Sequence, residues 1–367
     1  LNWRSGRKAV WIGLCILLGA ALGIGGWLTR AGGENLTKRF IMTHMTNPNG
    51  TLATYLQGAD SVVPELAAGR EALSESLGFW MQAALASDDL AEFERSYEQL
   101  VQYFIASEPR YIAWKLSGEG EAQVSTNALG DDLRIIGALL EGARKWEEHP
   151  EWIETARQLT NTLLSRSEKN GYLVDFYDFA RAEAPDTLSL AYVDLPVLEA
   201  LMQAGLLDKE AYGRYHALLQ DMPDDGVFFP KSYNVVSGEY TYVSEVNMID
   251  QLLVAIYAGE TTKAQSLHSF LKREYEQTGM VAGQYRRADR TAAVDYESSS
   301  VYGLAIVYSL QQGDPVFANK LYEQMQRLRG QDERYPGGYV FEGNTHIFDN
   351  LLPLLGEYAI RRGGHGK

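Results

Sequence analysis

Acidic side chains recur at one phase of this sequence. Asp132, Asp194, Asp250 and Asp349 each directly precede an apolar stretch of helical period, Glu75 stands within one position of the same place, and Glu297 precedes a further stretch. Carboxylates at helix starts can do one of two jobs. Singly, an Asp there caps the helix by satisfying free backbone N–H groups, worth about 1 kcal/mol. Converging on one cleft, they raise one another's pKa, which a general acid working at neutral pH requires. Glu75 is the distinctive member, a Glu where most of the others are Asp. It sits in Arg70-Glu-Ala-Leu-Ser-Glu75-Ser-Leu-Gly-Phe-Trp80, where Leu73, Leu77, Trp80/Met81 and Ala84/Leu85 keep a helical spacing.

These acids fall into a repeat. Six turns hold Gly50, Gly120 (or Gly118), Gly171, Gly226, Gly279 and Gly338, and each is followed by a short aromatic or aliphatic strand-like piece. A polar loop and a long apolar helix come next, then a break and a more amphipathic helix. The apolar helices centre on 77–86, 133–143, 195–204, 252–258, 301–310 and 351–360, and are apolar most of the way round, as helices buried on both sides should be. Second helices near 90–105, 152–164, 209–219, 262–275 and 315–328 are charged on one face, as an outer layer should be. The sixth outer helix is supplied by 34–45, ahead of the first unit, so the two ends of the chain pair and close a ring. The expected fold is all-α, an (α/α)6 barrel of six helical hairpins occupying residues 32–367. A solenoid would need polar capping repeats, and neither end looks like one.

In such a ring, units one and four face each other, which sets Glu75 across a cleft from Asp250. Two carboxyls with a gap of roughly 6.5–9.5 Å, room for a sugar and a water, are what inverting glycoside hydrolysis needs. Aromatic residues at the same level, among them Tyr172, Phe176, Tyr177, Tyr192, Phe228, Phe229, Tyr240, Tyr242 and Tyr296, offer faces on which sugar rings stack, or simply fill the loops.

The order and placement of these residues resemble glycoside hydrolase family 8, the (α/α)6 endoglucanase, chitosanase and xylanase group. Ser74-Glu75-Ser76-Leu77-Gly78-Phe79 is similar to that family's Ser-Glu-Gly-x-x-Tyr-Gly segment, which carries the acid. Gly130-Asp131-Asp132-Leu133-Arg134-Ile135-Ile136-Gly137-Ala138-Leu139 matches the second half of an Asp-x-Asp-Leu-Asp-Ile-Ala-x-Ala-Leu motif. Asp132 therefore carries over as a sugar-binding group, and Asp131 can only substitute for the motif's first Asp, which aligns with Gly130. Tyr192 lies in a segment resembling Ser-Tyr-x-x-Pro. The base motif, Tyr-Asp-Ala-x-Arg, is matched by Tyr242-Val-Ser-Glu245 without its Arg. Position in that motif favours Glu245 as base, repeat phase favours Asp250, and Tyr296-Glu297 is a third option. The resemblance implies an extracellular, endo-acting hydrolase of a β-linked polysaccharide, such as exopolysaccharide, β-glucan or chitosan, inverting and without a cofactor. Glu75 would be the acid, with Asp132, Asp131, Tyr192, Tyr242, Trp80, Tyr296 and Glu297 as the substrate-binding set. The branch it suggests is that of membrane-anchored hydrolases acting on bacterial exopolysaccharide, in biofilm. Two rivals stand beside it: a non-catalytic glycan-binding or scaffold protein on a degenerate barrel, and a polysaccharide lyase.

Composition narrows the classes further. Hydrophobic residues make up 46% and charged residues 22%, an ordinary globular balance. Net charge is −15, while the first thirty residues hold Arg4, Arg7, Lys8 and Arg30 and no acid, so the rest is more acidic still. Such a body repels phosphate backbones, which argues against a nucleic-acid partner, and it suits a neutral or amino-bearing glycan. No H-E-x-x-H or C-x-x-C spacing marks a metal site, and no phosphate loop or G-x-S-x-G elbow occurs. The chain is expected to act as a monomer. Residues 9–28 are uncharged and follow three cations, so 1–31 reads as a cytoplasmic stub and a transmembrane signal anchor, with a cleaved signal peptide (and a secreted protein) as the competitor. The single cysteine, Cys15, lies in that run and permits no intramolecular disulfide.

Overall fold

A computed structural model of the chain describes residues 35–363 apart from 64, 224 and 260. Among them are twelve α-helices in six hairpins. The inner helices are α2 (Ser74–Ser87), α4 (Leu129–Lys145), α6 (Leu195–Gln203), α8 (Met248–Ala258), α10 (Ser299–Gln311) and α12 (Phe348–Gly363). The outer ones are α1 (Leu36–His44), α3 (Leu90–Gln99), α5 (Pro150–Arg166), α7 (Lys209–Gln220), α9 (Thr262–Thr278) and α11 (Pro315–Leu328). Each inner helix packs on the next, and α12 returns onto α2. This is the (α/α)6 barrel expected from the repeat.

Burial follows the two layers. In α10, Ser299 to Ile306 are all buried, so helical period disappears from its burial pattern, whereas α11 buries only Phe317, Ala318, Leu321 and Met325 along one stripe. The outer helix α3 continues through a π-helical turn, Leu100–Phe104.

Ring closure rests on Glu357 of α12, which is buried. Its carboxylate accepts from Asn35 Nδ2 at 2.7 Å, Thr37 Oγ1 at 2.9 Å and Tyr339 Oη at 3.1 Å, and pairs with Arg329 Nη1 at 3.2 Å. One charge thus gathers the start of α1 and the last two units. Backbone bonds from Ile347 N to Thr54 O (2.7 Å) and from Leu56 N to Thr345 O (3.1 Å) tie the first mouth loop to the last.

The loops before the inner helices share one face, the mouth, and short antiparallel strands lace them together. β1 (Ala72–Leu73) pairs with β2 (Lys115–Leu116), and β3 (Glu168–Lys169) with β4 (Tyr172–Leu173). β5 (Thr187–Ser189), β6 (Ser232–Asn234) and β7 (Glu239–Thr241) form a sheet of three, and β8 (Glu245–Asn247) pairs with β9 (Gln284–Arg286). Of the strand-like pieces expected after the turn glycines, only that at Tyr172 is a strand. Phe228 and Phe229 instead go into the core, and the pairing begins three residues later, at Ser232. Among the described residues no helix is long and apolar enough to cross a membrane. The expected anchor at 9–28 lies outside them.

Candidate active site

β1 delivers the chain to α2 with Ser74 N bonded to Trp114 O at 3.0 Å. Leu73 occupies the cap position and offers no side-chain bond, and Glu75 is the second helical residue. Asp131 comes from the first turn of α4, whose cap residue, Ala128, is equally unable to cap. Ser74 Oγ donates to Asp131 Oδ2 at 2.6 Å, the Glu75 backbone N–H donates to the same carboxylate, and Arg134 Nη1 stands 3.4 Å from Oδ1. The starts of two adjacent inner helices are thereby clamped together, with Glu75 at the junction.

Glu75, Asp131, Trp114, Asn127, Asp175, Phe176 and Tyr192 line a cleft of about 880 Å³ at the mouth. Glu75 keeps a little exposure, and protein surrounds it elsewhere. Burial first, then the charges of Asp131 and Asp250, push its pKa up to about 8, with Arg134 opposing. No donor among the described residues hydrogen-bonds its carboxyl. It is therefore protonated at neutral pH. Burial raises the Asp131 pKa as well, opposed by Arg134, Ser74 and the Glu75 N–H.

Tyr192 closes a 3-10 turn, Leu190–Tyr192, and lays its ring on the start of α4. A Cβ at residue 130 would sit 2.5 Å from Tyr192 Cδ1, so Gly130 is what admits the ring. Burial and the surrounding charges of Asp131, Glu75, Asp175 and Asp250 raise the Tyr192 phenol, leaving it a hydrogen-bond donor. Asp250 lies outside the cleft lining, yet its charge reaches both Glu75 and Tyr192. It is the third residue of α8, half-buried, and its pKa is raised by burial with Lys231 opposing. Asn247 caps that helix through Ile249 N at 2.8 Å, so Asp250 is free of the capping job.

The remaining sequence candidates fall elsewhere. Asp132 is buried behind the cleft, where it accepts from Asn127 Nδ2 at 2.6 Å, and burial holds its carboxyl well above the usual range. It braces the loop through Asn127 Oδ1, which accepts from Tyr177 N at 2.6 Å, so of the adjacent pair it is Asp131 that faces the cleft. Trp80, expected to bind sugar, is 4% exposed between α2 and α3 with Nε1 donating to Glu92 Oε1 at 2.8 Å: its helical phase points to the outer layer. Glu245 is exposed on β8, since strand alternation turns Val246 inward and Glu245 out. Glu297 accepts from Tyr302 Oη and from Gln324 Nε2 (2.9 Å) of α11, which draws it to the outer layer. Tyr242 donates to Pro223 O at 2.9 Å and stacks beneath Arg287, 3.7 Å from its ring centre. Tyr296 is exposed in a separate groove with Glu274 and Met280.

Two groups escaped the sequence reading. Asp175 accepts from Ser189 N (2.6 Å) and Ser189 Oγ (2.8 Å), and burial raises its pKa. Its signal was an acid beside Phe176 and Tyr177, in the aromatic cluster at the mouth. Trp114, with Nε1 on Thr126 Oγ1 at 2.9 Å, gives the cleft an indole wall and carried no motif at all.

A twelve-helix barrel with buried carboxyls opening into a cleft at its mouth is the fold of family 8 glycoside hydrolases. The structure of endoglucanase Cel10, a family 8 glycosyl hydrolase from Klebsiella pneumoniae, superposes with a TM-score of 0.63 at 14% identity, covering 90% of this chain and 100% of that one. Higher similarity is found with a structure described as a novel alpha-amylase from Clostridium perfringens (TM-score 0.78, 23% identity, 88% and 96% covered) and with PssZ from Listeria monocytogenes (0.70, 24%, 88% and 94%). No family model matches the sequence. By sequence the chain is 36% identical over 325 residues, 88% of its own length and 85% of the other's, to the Bacillus subtilis (strain 168) protein named "Putative lipoprotein YdaJ". The chain belongs to the family of that protein.

Proposed function

We propose that the protein is an endo-acting glycoside hydrolase that cleaves a polysaccharide with inversion. One observation carries this reading: Glu75, whose carboxyl is raised to about 8, opens into a cleft of about 880 Å³ lined by carboxyl, phenol and indole groups. At neutral pH Glu75 holds the proton that a leaving glycosidic oxygen needs. Asp250, from the unit across the ring, takes the proton of the attacking water. Asp131 and Tyr192 hold the sugar between them, the carboxylate facing the positive charge that develops on the ring at the transition state. Asp175, Trp114 and Phe176 extend the binding surface along the cleft.

Similarity to the endoglucanase favours a β-linked glycan, and similarity to the alpha-amylase gives an α-linked glucan as the second reading. The missing base-motif Arg keeps the binding-protein reading testable beside them. Membrane association is proposed from the uncharged run at 9–28 and from the name of the Bacillus relative, and is checked by whether the protein sediments with membranes.

The experiment is to incubate the ectodomain and its Glu75→Gln variant with β-glucan, chitosan, exopolysaccharide and α-1,4-glucan preparations. Reducing ends released by the wild type alone support the proposal, and the substrate that yields them identifies the linkage. Ultraviolet absorbance from an unsaturated product would show a lyase, and binding without cleavage would show a glycan-binding protein. Equal release by both proteins would contradict Glu75 as the acid.

A further inference from the structure

Arg134 lies in the second turn of α4 and is 2% exposed, with its guanidinium among the acids that the proposed reaction uses. Its Cζ stands 3.9 Å from the centre of the Phe79 ring, Nη1 is 3.4 Å from Asp131 Oδ1, and it hydrogen-bonds the Tyr257 hydroxyl. Its Nε is buried without a hydrogen-bond partner. The side chain passes over Gly78 of α2, where a Cβ would come 3.1 Å from Arg134 Cδ. A buried guanidinium needs a counter-charge, because desolvating an unpaired charge costs several kcal/mol. Asp131 and Glu75 are the carboxyls of the cleft that are near enough to supply it.

The hydrogen bonds decide between them. Asp131 collects Ser74 Oγ, the Glu75 N–H and Arg134, whereas the Glu75 carboxyl has no donor among the described residues. Donors stabilise the ionised form of the group that accepts them. We propose that Arg134 is a positioning residue that fixes the negative charge on Asp131 and so leaves the proton of the pair on Glu75. The mouth then presents one protonated and one ionised carboxyl at neutral pH, fixed by the fold before substrate arrives. This rests on the reading of Glu75 as general acid and adds what sets its protonation.

Other charged and titratable groups face the pair without replacing Arg134. Asp250 from α8 faces Glu75 and holds the proton on it more firmly when it is negative, while the Tyr192 phenol from the 3-10 turn stays neutral beside them. Tyr257 on α8 and Asp194 at the start of α6 face Arg134 from its other side. Burial pushes Asp194 up to about 6, with Arg134 drawing it down, and its Oδ1 is engaged by Val197 N at 3.1 Å as a helix cap. Lys231 acts on Asp250 and Asp175.

Carboxyl-13C NMR of the full protein tests this, with the Glu75 and Asp131 signals assigned by their loss in Glu75→Gln and Asp131→Asn. The wild type should show Glu75 protonated and Asp131 ionised at pH 7. In Asp131→Asn the neighbouring charge is gone and Arg134 is left to Glu75, so the Glu75 midpoint should fall by about one pH unit or more, roughly tenfold in the protonation constant. In Arg134→Gln the Asp131 midpoint should rise, the pair should hold more protons at pH 7 than the wild type does, and the Glu75 midpoint should rise. Arg134→Lys keeps the charge and should restore most of the wild-type titration. Should Arg134→Gln fail to fold, Asp131→Asn and the wild type still decide the matter. A Glu75 midpoint unmoved by Asp131→Asn, or a wild-type Asp131 protonated at pH 7, would overturn the proposal. If the titrations behave as expected and no polysaccharide is cut, the hydrolase reading falls and the proton placement stands. If glycan is cut by wild type alone and the titrations do not move, the reverse holds.

Discussion

Unit one and unit five place a Glu at nearly the same phase of the repeat, and the fold uses the two in opposite ways. Glu297 precedes α10 and meets two side-chain donors, Tyr302 of α10 and Gln324 of the outer helix α11. Ser298 meanwhile caps the helix through Val301 N. Glu75 begins α2, meets no side-chain donor among the described residues, and has a second buried acid, Asp131, beside it. A carboxyl with local donors becomes structural, whereas one left without donors beside another charge keeps its proton. Sequence position puts both at the mouth, and the hydrogen-bond partners separate them.

The sharpest break of this comparison is substitution of each in turn. Glu75→Gln should lower kcat by about 10²–10⁴-fold, the range for a positioned general acid, with substrate binding nearly kept. Asp250→Asn, removing the proposed base, should cost about 10²-fold or more in kcat by the same reasoning. Next comes stability against pH. The Glu75 pKa is raised from 4.5 to about 8 on folding, so its contribution is fully present below pH 4.5 and is lost as pH rises through 8. Glu75→Gln removes that loss. The variant should gain on the wild type by up to about 1.4 kcal/mol for each pH unit climbed between those two values. It should therefore melt above the wild type at pH 8–9, and the gap should close as pH falls toward 4.5. Smallest is Glu297→Gln, which should cost about 1 kcal/mol in denaturant unfolding and leave kcat unchanged. A Glu297→Gln variant that lost activity as Glu75→Gln does would erase the distinction between the two units.

Much of the architecture was legible in the sequence. The alternation of all-round apolar and one-sided helices and the pairing of α1 with the last unit are present in the fold, and of the six turn glycines all but Gly338 take a positive φ. Helical burial repeats every 3.6 residues, so its loss in the inner layer marks that layer in one dimension. Side-chain direction within a helix start was less legible. Asp131 and Asp132 are adjacent, and the turn of roughly 100° between them sends one to the cleft and the other to Asn127. Trp80 was misplaced for the same reason, since its phase on α2 faces Glu92 of the outer layer. The strands at the mouth were not legible because ladders of two or three residues are too short to show a period. Glu245 on β8 and Tyr242 just after β7 turn away from the cleft, and Asp175 is held by a Ser fourteen residues later. Capping also hid the site: of the acids at inner-helix starts, Asp194 does cap its helix, whereas Asn247 relieves Asp250 of that role.

Glu75 as the proton donor is the central claim, and the most direct measurement is the rate of reducing-end release at pH 7 by wild type, Glu75→Gln and Glu297→Gln on whichever polysaccharide the wild type cleaves. A fall of at least about 10²-fold is expected for Glu75→Gln and none for Glu297→Gln. Cleavage by Glu75→Gln at close to the wild-type rate would contradict it.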